Sequence, residues 1–456
     1  MSAAEGLTVL VADWVARQRD LPLPDRVRHH VKRLVLDHLG GVIAAAATPV
    51  SRAVAEHARE TYAGDHATGI GAGRLSAPGA AFVNGTSAHG LEVDDGYTPG
   101  SVHPGAVALP AVLAAAQRYG STPERTLTAA AIAVELTCRF AAAGHPATWR
   151  NHFHNTPLAG VLAAAGGVSA LLGLDGDGVG NALGIAGSHA GGLFEFLGQS
   201  AEVKRVHPGK AARDGIASAQ LAAAGVTGPH TVLEGAHGYF AAFAHGDYDP
   251  APVSAALGER WALLDTYVKP YPSCRHLHGP IDAALALREE HGLSVGDVVA
   301  AEVGTYAVAA HHAHTEVDGF LDAQMSIPYA VAVALARGHV ALAEFGDEAR
   351  ADTDILRLTK AVTVRVDDGA QELYPKARPA TLTLRLRDGR TVRTTVDQPY
   401  GEPANPMSDE SLAGKFHALV DPVLGAATAD ELVDAVWSFT GLGFLDRADT
   451  ALRSPR

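Results

Sequence analysis

From Pro24 onward, Val27, Val31, Leu34, Val35, Leu39 and Val42 recur at helical spacing and make one apolar stripe. Pro24 suits the first position of that helix, because its missing N–H would be unpaired there in any case. A helix with such a stripe needs neighbours, and the chain supplies them. Ala/Leu/Val-rich segments follow near 78–89, 105–118, 124–143, 156–172 and 210–224, separated by Gly, Pro, Asp or Thr. With so many small apolar residues, these helices are expected to pack closely. No fixed-period repeat runs through them.

Beyond about residue 265 the pattern changes. Residues 298–308 read as a strand, 326–337 as a helix and 361–366 as a second strand. Residues 381–387 and 391–396 alternate apolar and polar side chains around Asp388-Gly389, a dipeptide suited to a type I′ hairpin turn. From Ser408, an N-cap candidate followed by Asp409 and Glu410, helical patterning returns. The expected fold is mainly α with an α+β second domain: a helical segment 1–266, a mixed domain 267–398, and a helical segment 399–456 that docks back on the first.

Composition removes several classes of function. At 456 residues and 47% hydrophobic content the chain can fill two or three domain cores on a prior of about 150 residues each. Its 36 basic against 50 acidic side chains give a net charge of -14, which repels a polyanion, so nucleic acid is not expected as a partner. The first residues carry no basic stretch of the signal-peptide kind, and no apolar run is read as reaching the ~18 residues of a membrane span. A soluble, cytoplasmic protein with no membrane partner is expected. Cys138 and Cys274 are the only cysteines, too few for an iron–sulfur cluster or a disulfide framework. Cys138, within AIAVELTCRF, reads as a small buried hydrophobe.

Four polar pieces stand beside Gly or Pro in this Ala-rich chain. The first, HGLEVDDGYTPGSVHPGA, places acids at 92, 94 and 95 and an imidazole at His103 on one pliable segment. Alone it reads more readily as a solvated loop whose aspartates cap the next helix. The second is His152-Phe153-His154-Asn155-Thr156 at a helix entry, where the helix dipole favours a neutral, base-competent imidazole. The third runs from Lys204 and Arg205 to Lys210, cations at another helix entry suited to a carboxylate or an enolate-like charge; its bland alternative is a solvated basic turn. The fourth runs from Lys269 to Pro280 where the second domain begins. There Arg275 offers a fork for a carboxylate, and His276 and His278 offer proton transfer. Together the pieces read as one pocket for proton transfer on a small carboxylic acid.

Other patterns lack the context that would give them meaning. Gly69-Ile70-Gly71-Ala72-Gly73 has neither the spacing nor the strand-then-helix setting of a dinucleotide fingerprint, and the chain has no phosphate loop and no nucleophile elbow. His311-His312-Ala313-His314 and the His152/His154 pair match no zinc pattern, so no metal is expected.

The stretches AAFVNGTSAHGLEVDDG, VHPGAVALP, HFHNTPLAGVLAAA, VKRVHPGKAARDG, VLEGAHGYF, VKPYPSCRHLHGPIDAAL, QMSIPYAVAVAL and LRDGRTVRTTVDQPYGEPANPMSDESLAGKF occur in this order. In them the chain resembles the MmgE/PrpD family over nearly its whole length. The resemblance implies a helical domain built from the N-terminal half and the C-terminal tail, an inserted α/β lid, a homodimer, and catalysis without metal or organic cofactor. It also implies a reaction beside a carboxylate: dehydration of a citrate-like hydroxy acid first, with epimerisation or decarboxylation of a small di- or tricarboxylate as alternatives. Carried over by position, the family's functional residues fall on Glu92 and Asp95, His103, His154, Lys204, and His276 or His278. Lys269, Arg205, Arg275 and Tyr329 are the candidate substrate contacts. Glu92 stands where Asp is more usual in the family, and Gly96 and Tyr97 stand where Thr is frequent.

Overall fold

The punctuation between the apolar segments becomes helix caps. Thr48, Ser76, Thr122 and Asp175 each accept a hydrogen bond from the backbone N–H three residues on, satisfying a donor that the first helical turn leaves unpaired. The computed structural model describes residues 6–198 and 201–454 and divides into two units. The first ends at Tyr267 and resumes at Ser408, and the second is Val268–Met407.

The first unit carries α1 (Leu7–Gln18), α2 (Asp25–Ala45), α3 (Pro49–Thr61), a short hairpin of β1 (Ala67–Gly69) and β2 (Gly73–Leu75), then α4 (Ala77–Ala88), α5 (Gly105–Tyr119), α6 (Pro123–Gly144), α7 (Ala147–Arg150), α8 (Asn155–Leu172), α9 (Gly176–Gly187) and α10 (Val203–Ala223). Helices Asp409–Leu424, Ala426–Ser438 and Gly443–Arg453 complete it. The hairpin means that this unit is not wholly helical. The Gly69–Gly73 stretch forms its turn, fastened by Asn84, whose Oδ1 accepts from Ile70 N and whose Nδ2 donates to Thr68 O at 2.9 Å each.

At the centre α6 and α8 lie side by side, and α10 crosses both α8 and α4. Small residues permit this. A Cβ on Gly167 of α8 would lie 2.7 Å from the Ala133 Cβ of α6, and one on Gly209 of α10 would lie 2.2 Å from the Phe82 carbonyl oxygen of α4. By length and composition α6 and α8 are apolar enough to cross a membrane, contrary to the sequence reading; 94% of the apolar window of each is buried by the rest of the protein. The expectation was missed because the windows are built from Ala and Gly more than from large residues.

The mixed sheet of the second unit has the order β4-β3-β5-β6, formed by β3 (Val298–Thr305), β4 (Val362–Val366), β5 (Ala380–Leu386) and β6 (Thr391–Val396). β3 pairs parallel with β4 and antiparallel with β5. One face buries Val298, Ala301, Val303, Leu382, Leu384 and Leu386 with Ile281 and Leu287 of the helix His278–His291 and the helix Ile327–Arg337. β3 stops before the expected residue 308 because Ala307–Ala310 turns into a helical segment. The Asp388-Gly389 turn also differs from expectation. Gly389 alone takes a positive φ, 89°, its N–H bonds Leu386 O at 3.1 Å, and Leu386 N bonds Arg390 O at 2.9 Å. That is a type I turn closed by a left-handed glycine in a three-residue loop, not a type I′ turn. The second unit runs past the expected 398, because Val268 N bonds Gly401 O at 3.2 Å and Glu402 bonds Arg275 and Arg378.

One buried ion pair organises the end of the first segment. Arg139 Nε donates to Glu135 Oε1 at 2.6 Å, with side chains 4% and 1% exposed. Its terminal nitrogens donate to the carbonyls of Pro252 at 2.9 Å, Ala255 at 3.0 Å and Arg260 at 2.7 Å. Glu135 in turn accepts from the N–H groups of Ala262 and Leu263 at 3.0 and 2.8 Å. Replacing Arg139 with Met strands a buried carboxylate and several carbonyls, at an expected loss of about 3–5 kcal/mol. Urea unfolding checks this: a loss below about 1 kcal/mol would mean that the pair does not hold the segment.

Candidate active site

The loop leaving α4 carries the first cluster. His89 caps the helix, and its Nδ1–H donates to Asp94 Oδ2 at 2.6 Å. His103 Nδ1 lies 3.3 Å from the same Asp94 oxygen and 2.7 Å from the Asp95 carbonyl. A carbonyl only accepts, so the proton sits on Nδ1 of His103 and the lone pair of the neutral ring on Nε2. Both Asp95 carboxylate oxygens accept from Gly105 N, at 3.0 and 3.1 Å, which caps α5. The capping half of the bland reading therefore holds for Asp95, but the residue is buried rather than solvated. Asp95 anchors His103 and does not itself present an acid. Glu92 takes φ 57°, a strained value for a side chain with a Cβ. Its carboxylate pairs with the Lys204 ammonium.

His154 is the N-cap of α8. Its N–H bonds Gly192 O at 2.9 Å, while Phe194 N bonds His152 O at 2.9 Å; Phe194 packs tilted and Phe196 edge-on against the His154 ring, with centres 5.5 and 5.8 Å away. Thr156 Oγ1 accepts from His103 N at 3.2 Å and joins the two loops. Nδ1 of His154 is 3.1 Å from Nδ1 of His207, so one proton serves both nitrogens. The imidazoles form a continuous row, with ring centres 5.0 Å apart for His103 and His89, 5.8 Å for His89 and His154, and 5.4 Å for His154 and His207. Lys204 opens α10, the helix brought against α4 by Gly209.

Burial sets the charge states. It pushes His154 well below the ordinary histidine value, and the neighbouring His89, His207, Lys204 and His103 push the same way. The sequence reading had the direction from the helix dipole; desolvation is the larger cause. His207 is carried down to about 4 by burial, then by His89 and Lys210. His38 of α2 falls to about 4 by burial although Asp94 pulls it up. Burial raises the Asp95 carboxyl well above the usual range, and Asp94 and Asp37 add to it.

The second unit holds the other candidates. Arg275 donates through Nε to Glu402 Oε1 at 3.0 Å and through one terminal nitrogen to His278 Nδ1 at 2.7 Å and Tyr400 O at 3.1 Å. Arg378 donates to the same Glu402 oxygen at 3.0 Å. The Arg275 fork thus already grips a carboxylate, that of Glu402, contrary to the expected substrate role. His278 is fully buried, accepts from Arg275 and donates from Nε2 to Ser273 O at 3.3 Å, which commits both ring nitrogens. His276 is half-buried and bonds Tyr306 Oη through Nδ1 at 2.6 Å. It is the one of the pair able to meet a small molecule. Burial, Arg378, His312 and Arg275 hold it well below the ordinary histidine value. Lys269 is 1% exposed. Two expected contacts are corrected. Tyr329 is fully buried in the helix Ile327–Arg337, and its hydroxyl donates to Glu344 O at 2.7 Å. Arg205 pairs with Glu202 at 2.8 Å at the start of α10, so its guanidinium already has a carboxylate.

The candidates thus fall into two groups: Glu92, Asp95, His103, His154 and Lys204 in the first unit, and Lys269, Arg275, His276 and His278 in the second. Sequence reasoning gave no role to His89 or His207 and noted Asp94 only as one of the loop's acids. The signal was present in the His-x4-Asp and His-Pro spacings beside chosen residues. His89 Nε2 is buried with no hydrogen-bond partner among the described residues, as suits a site that a ligand completes. Ligand atoms of His89, Asp94 and His103 lie within 4.8 Å of one another, the one such trio among the described residues. Each histidine Nδ1 in it already has an oxygen acceptor.

Residues 10–251 match the MmgE/PrpD N-terminal domain and residues 271–439 the MmgE/PrpD C-terminal domain. The cis-aconitate decarboxylase-like protein oryM of Aspergillus oryzae is 28% identical over 96% of this chain and 95% of its own length. The cis-aconitate decarboxylase of Aspergillus terreus is 26% identical over 97% of this chain and 94% of its own length, and that of Homo sapiens 26% over 95% and 92%. With both domain models matched in order, the chain belongs to the MmgE/PrpD family of enzymes.

Proposed function

We propose that the protein is a lyase acting on a small di- or tricarboxylic acid by histidine-mediated proton transfer, and that loss of CO₂ from a cis-aconitate-like acid is its reaction. The observation that carries this reading is the row of imidazoles from His103 to His207, anchored by Asp94 and flanked by the Lys204 ammonium. The sequence placed dehydration of a citrate-like acid first. Whole-length similarity to proteins named cis-aconitate decarboxylase moves decarboxylation ahead of it.

In the proposed reaction the C–CO₂ bond breaks and its electron pair becomes a new double bond. The pair of the former double bond takes a proton at carbon. His103 supplies that proton as imidazolium, with the Asp94 carboxylate balancing its charge, and Lys204 offers donors beyond the one bound to Glu92 to a substrate carboxylate. Dehydration remains the second reading because His154 is held neutral and so is fit to remove a proton α to a carboxylate.

Proton NMR in D₂O with cis-aconitate and a citrate-like acid tests the assignment. Decarboxylation yields CO₂ and an alkene carrying solvent deuterium on the former vinylic carbon, whereas dehydration yields an unsaturated acid that keeps all its carbon atoms. Turnover of neither acid would refute the lyase reading. Replacing His103 with Ala should lower kcat roughly 100-fold or more while leaving the circular dichroism unchanged; near-normal turnover would remove His103 from the chemistry.

Charge coupling gives a separate check. Positive Lys204 helps to depress His154, so the ring stays neutral until the pH falls well below the ordinary histidine range. In Lys204→Met this opposition disappears, and the His154 titration followed by NMR should move to higher pH, though not to the free value because burial persists. An unchanged or lowered titration point would place the ammonium out of reach of the imidazole row.

A further inference from the structure

Cys274 is partly exposed in the second unit, and its Sγ is 3.7 Å from Nε2 of His312. Both residues are tied to one segment: Cys274 N donates to Gln324 O at 2.9 Å, and Ile327 N donates to His312 O at 2.9 Å. The far face of His312 stacks on His276, with ring centres 5.7 Å apart and planes 24° from parallel. The groups that face this pair are Arg275 and His276 from the turn before the helix His278–His291, Tyr306 after β3, Tyr374 stacked on Tyr306 at 4.3 Å, and Arg378 before β5, with Glu402 held between the two arginines. Arg378 and Arg275 act as cations on His276, and a backbone bond to Met325 adds to the hold on His312.

We propose that Cys274 and His312 form a thiolate–imidazolium pair, a reactive thiol site that takes soft electrophiles such as haloacetamides and α,β-unsaturated carbonyl compounds. In the addition, the thiol proton passes to His312 Nε2 and sulfur bonds the β-carbon. The π pair shifts to the α-carbon, which then takes the proton back from His312. With iodoacetamide the S–C bond forms as the C–I bond breaks, and iodide leaves. The electrostatics agree: burial alone would lower His312, yet the neighbouring Cys274 sulfur carries it above its ordinary value. Cys138 is the opposite case. It is wholly enclosed, and burial and Glu135 push its thiol well up, so it serves as an unreactive control in the same chain.

Iodoacetamide labelling of the full-length protein, mapped by mass spectrometry across a pH series, decides the matter. Cys274 should react at least about ten-fold faster than Cys138 at neutral pH, with a rate midpoint below about 7.5, against ~8.5 for a free thiol. His312→Gln should return the midpoint to about 8.5 and slow the reaction at mildly acid pH about ten-fold or more. A wild-type midpoint at or above about 7.5, an unlabelled Cys274, or a His312→Gln variant that reacts like wild type would overturn the proposal. Should that variant not fold, thiolate absorbance in the ultraviolet, taken as wild type minus Cys274→Ser, gives the same midpoint without it and is judged by the same limit.

Discussion

The candidate chemistry of the first unit hangs on one residue that does none of it. Asp95 closes the N-terminus of α5 with both carboxylate oxygens and holds His103 with its carbonyl. Gly105 leaves room for this cap, because a Cβ there would lie 2.5 Å from Asp95 Oδ1 and push the carboxylate from its place. With the loop fixed at this point, its neighbour Asp94 is directed to the other side, where it reaches His89 and His103 together. Glu92, whose carboxylate meets Lys204, takes φ 57°, a conformation that costs on the order of 1–3 kcal/mol and persists only because the surroundings enforce it.

Desolvation outweighs pairwise charge in deciding protonation here. At His38 the attraction of Asp94 does not overcome burial, and the ring falls to about 4. At His154 four cationic or potentially cationic neighbours act in the same direction as burial. His103 differs, since it is more exposed and lies against the Asp94 carboxylate. Two imidazoles in one row thus have different surroundings, one enclosed among other imidazoles and an ammonium and one beside a carboxylate. Phe194 and Phe196 maintain the dry side of the row.

Much of this was legible because helix signals are local. The stripe from Val27 to Val42 became α2, Ser408 became an N-cap, and the strands fell within a few residues of their expected limits. What was not legible depended on contacts distant in sequence. His276 and His278 look alike for a different reason: Arg275 and Ser273 are near His278 in the chain, but only the folded turn brings them to both of its ring nitrogens, while the distant Tyr306 takes one nitrogen of His276. The guanidinium of Arg275 looked suited to a substrate because Glu402, which neutralises it, is 127 residues away. Tyr329 was chosen from a family-like stretch, yet the helical register turns it into the core. The Asp388-Gly389 turn was misjudged because the dipeptide serves both turn types, and loop length, which decides between them, depends on strand register.

The two units solve the problem of buried charge differently. In the first, burial pushes His154 and His207 towards the neutral form. In the second, guanidinium groups cannot lose their charge, so Arg275 and Arg378 must share a counter-ion, and Glu402 provides it. That requirement explains why residues 399–407 belong to the second unit rather than to the helical tail. Separating Glu402 from the unit would take away the carboxylate that Arg275 and Arg378 share.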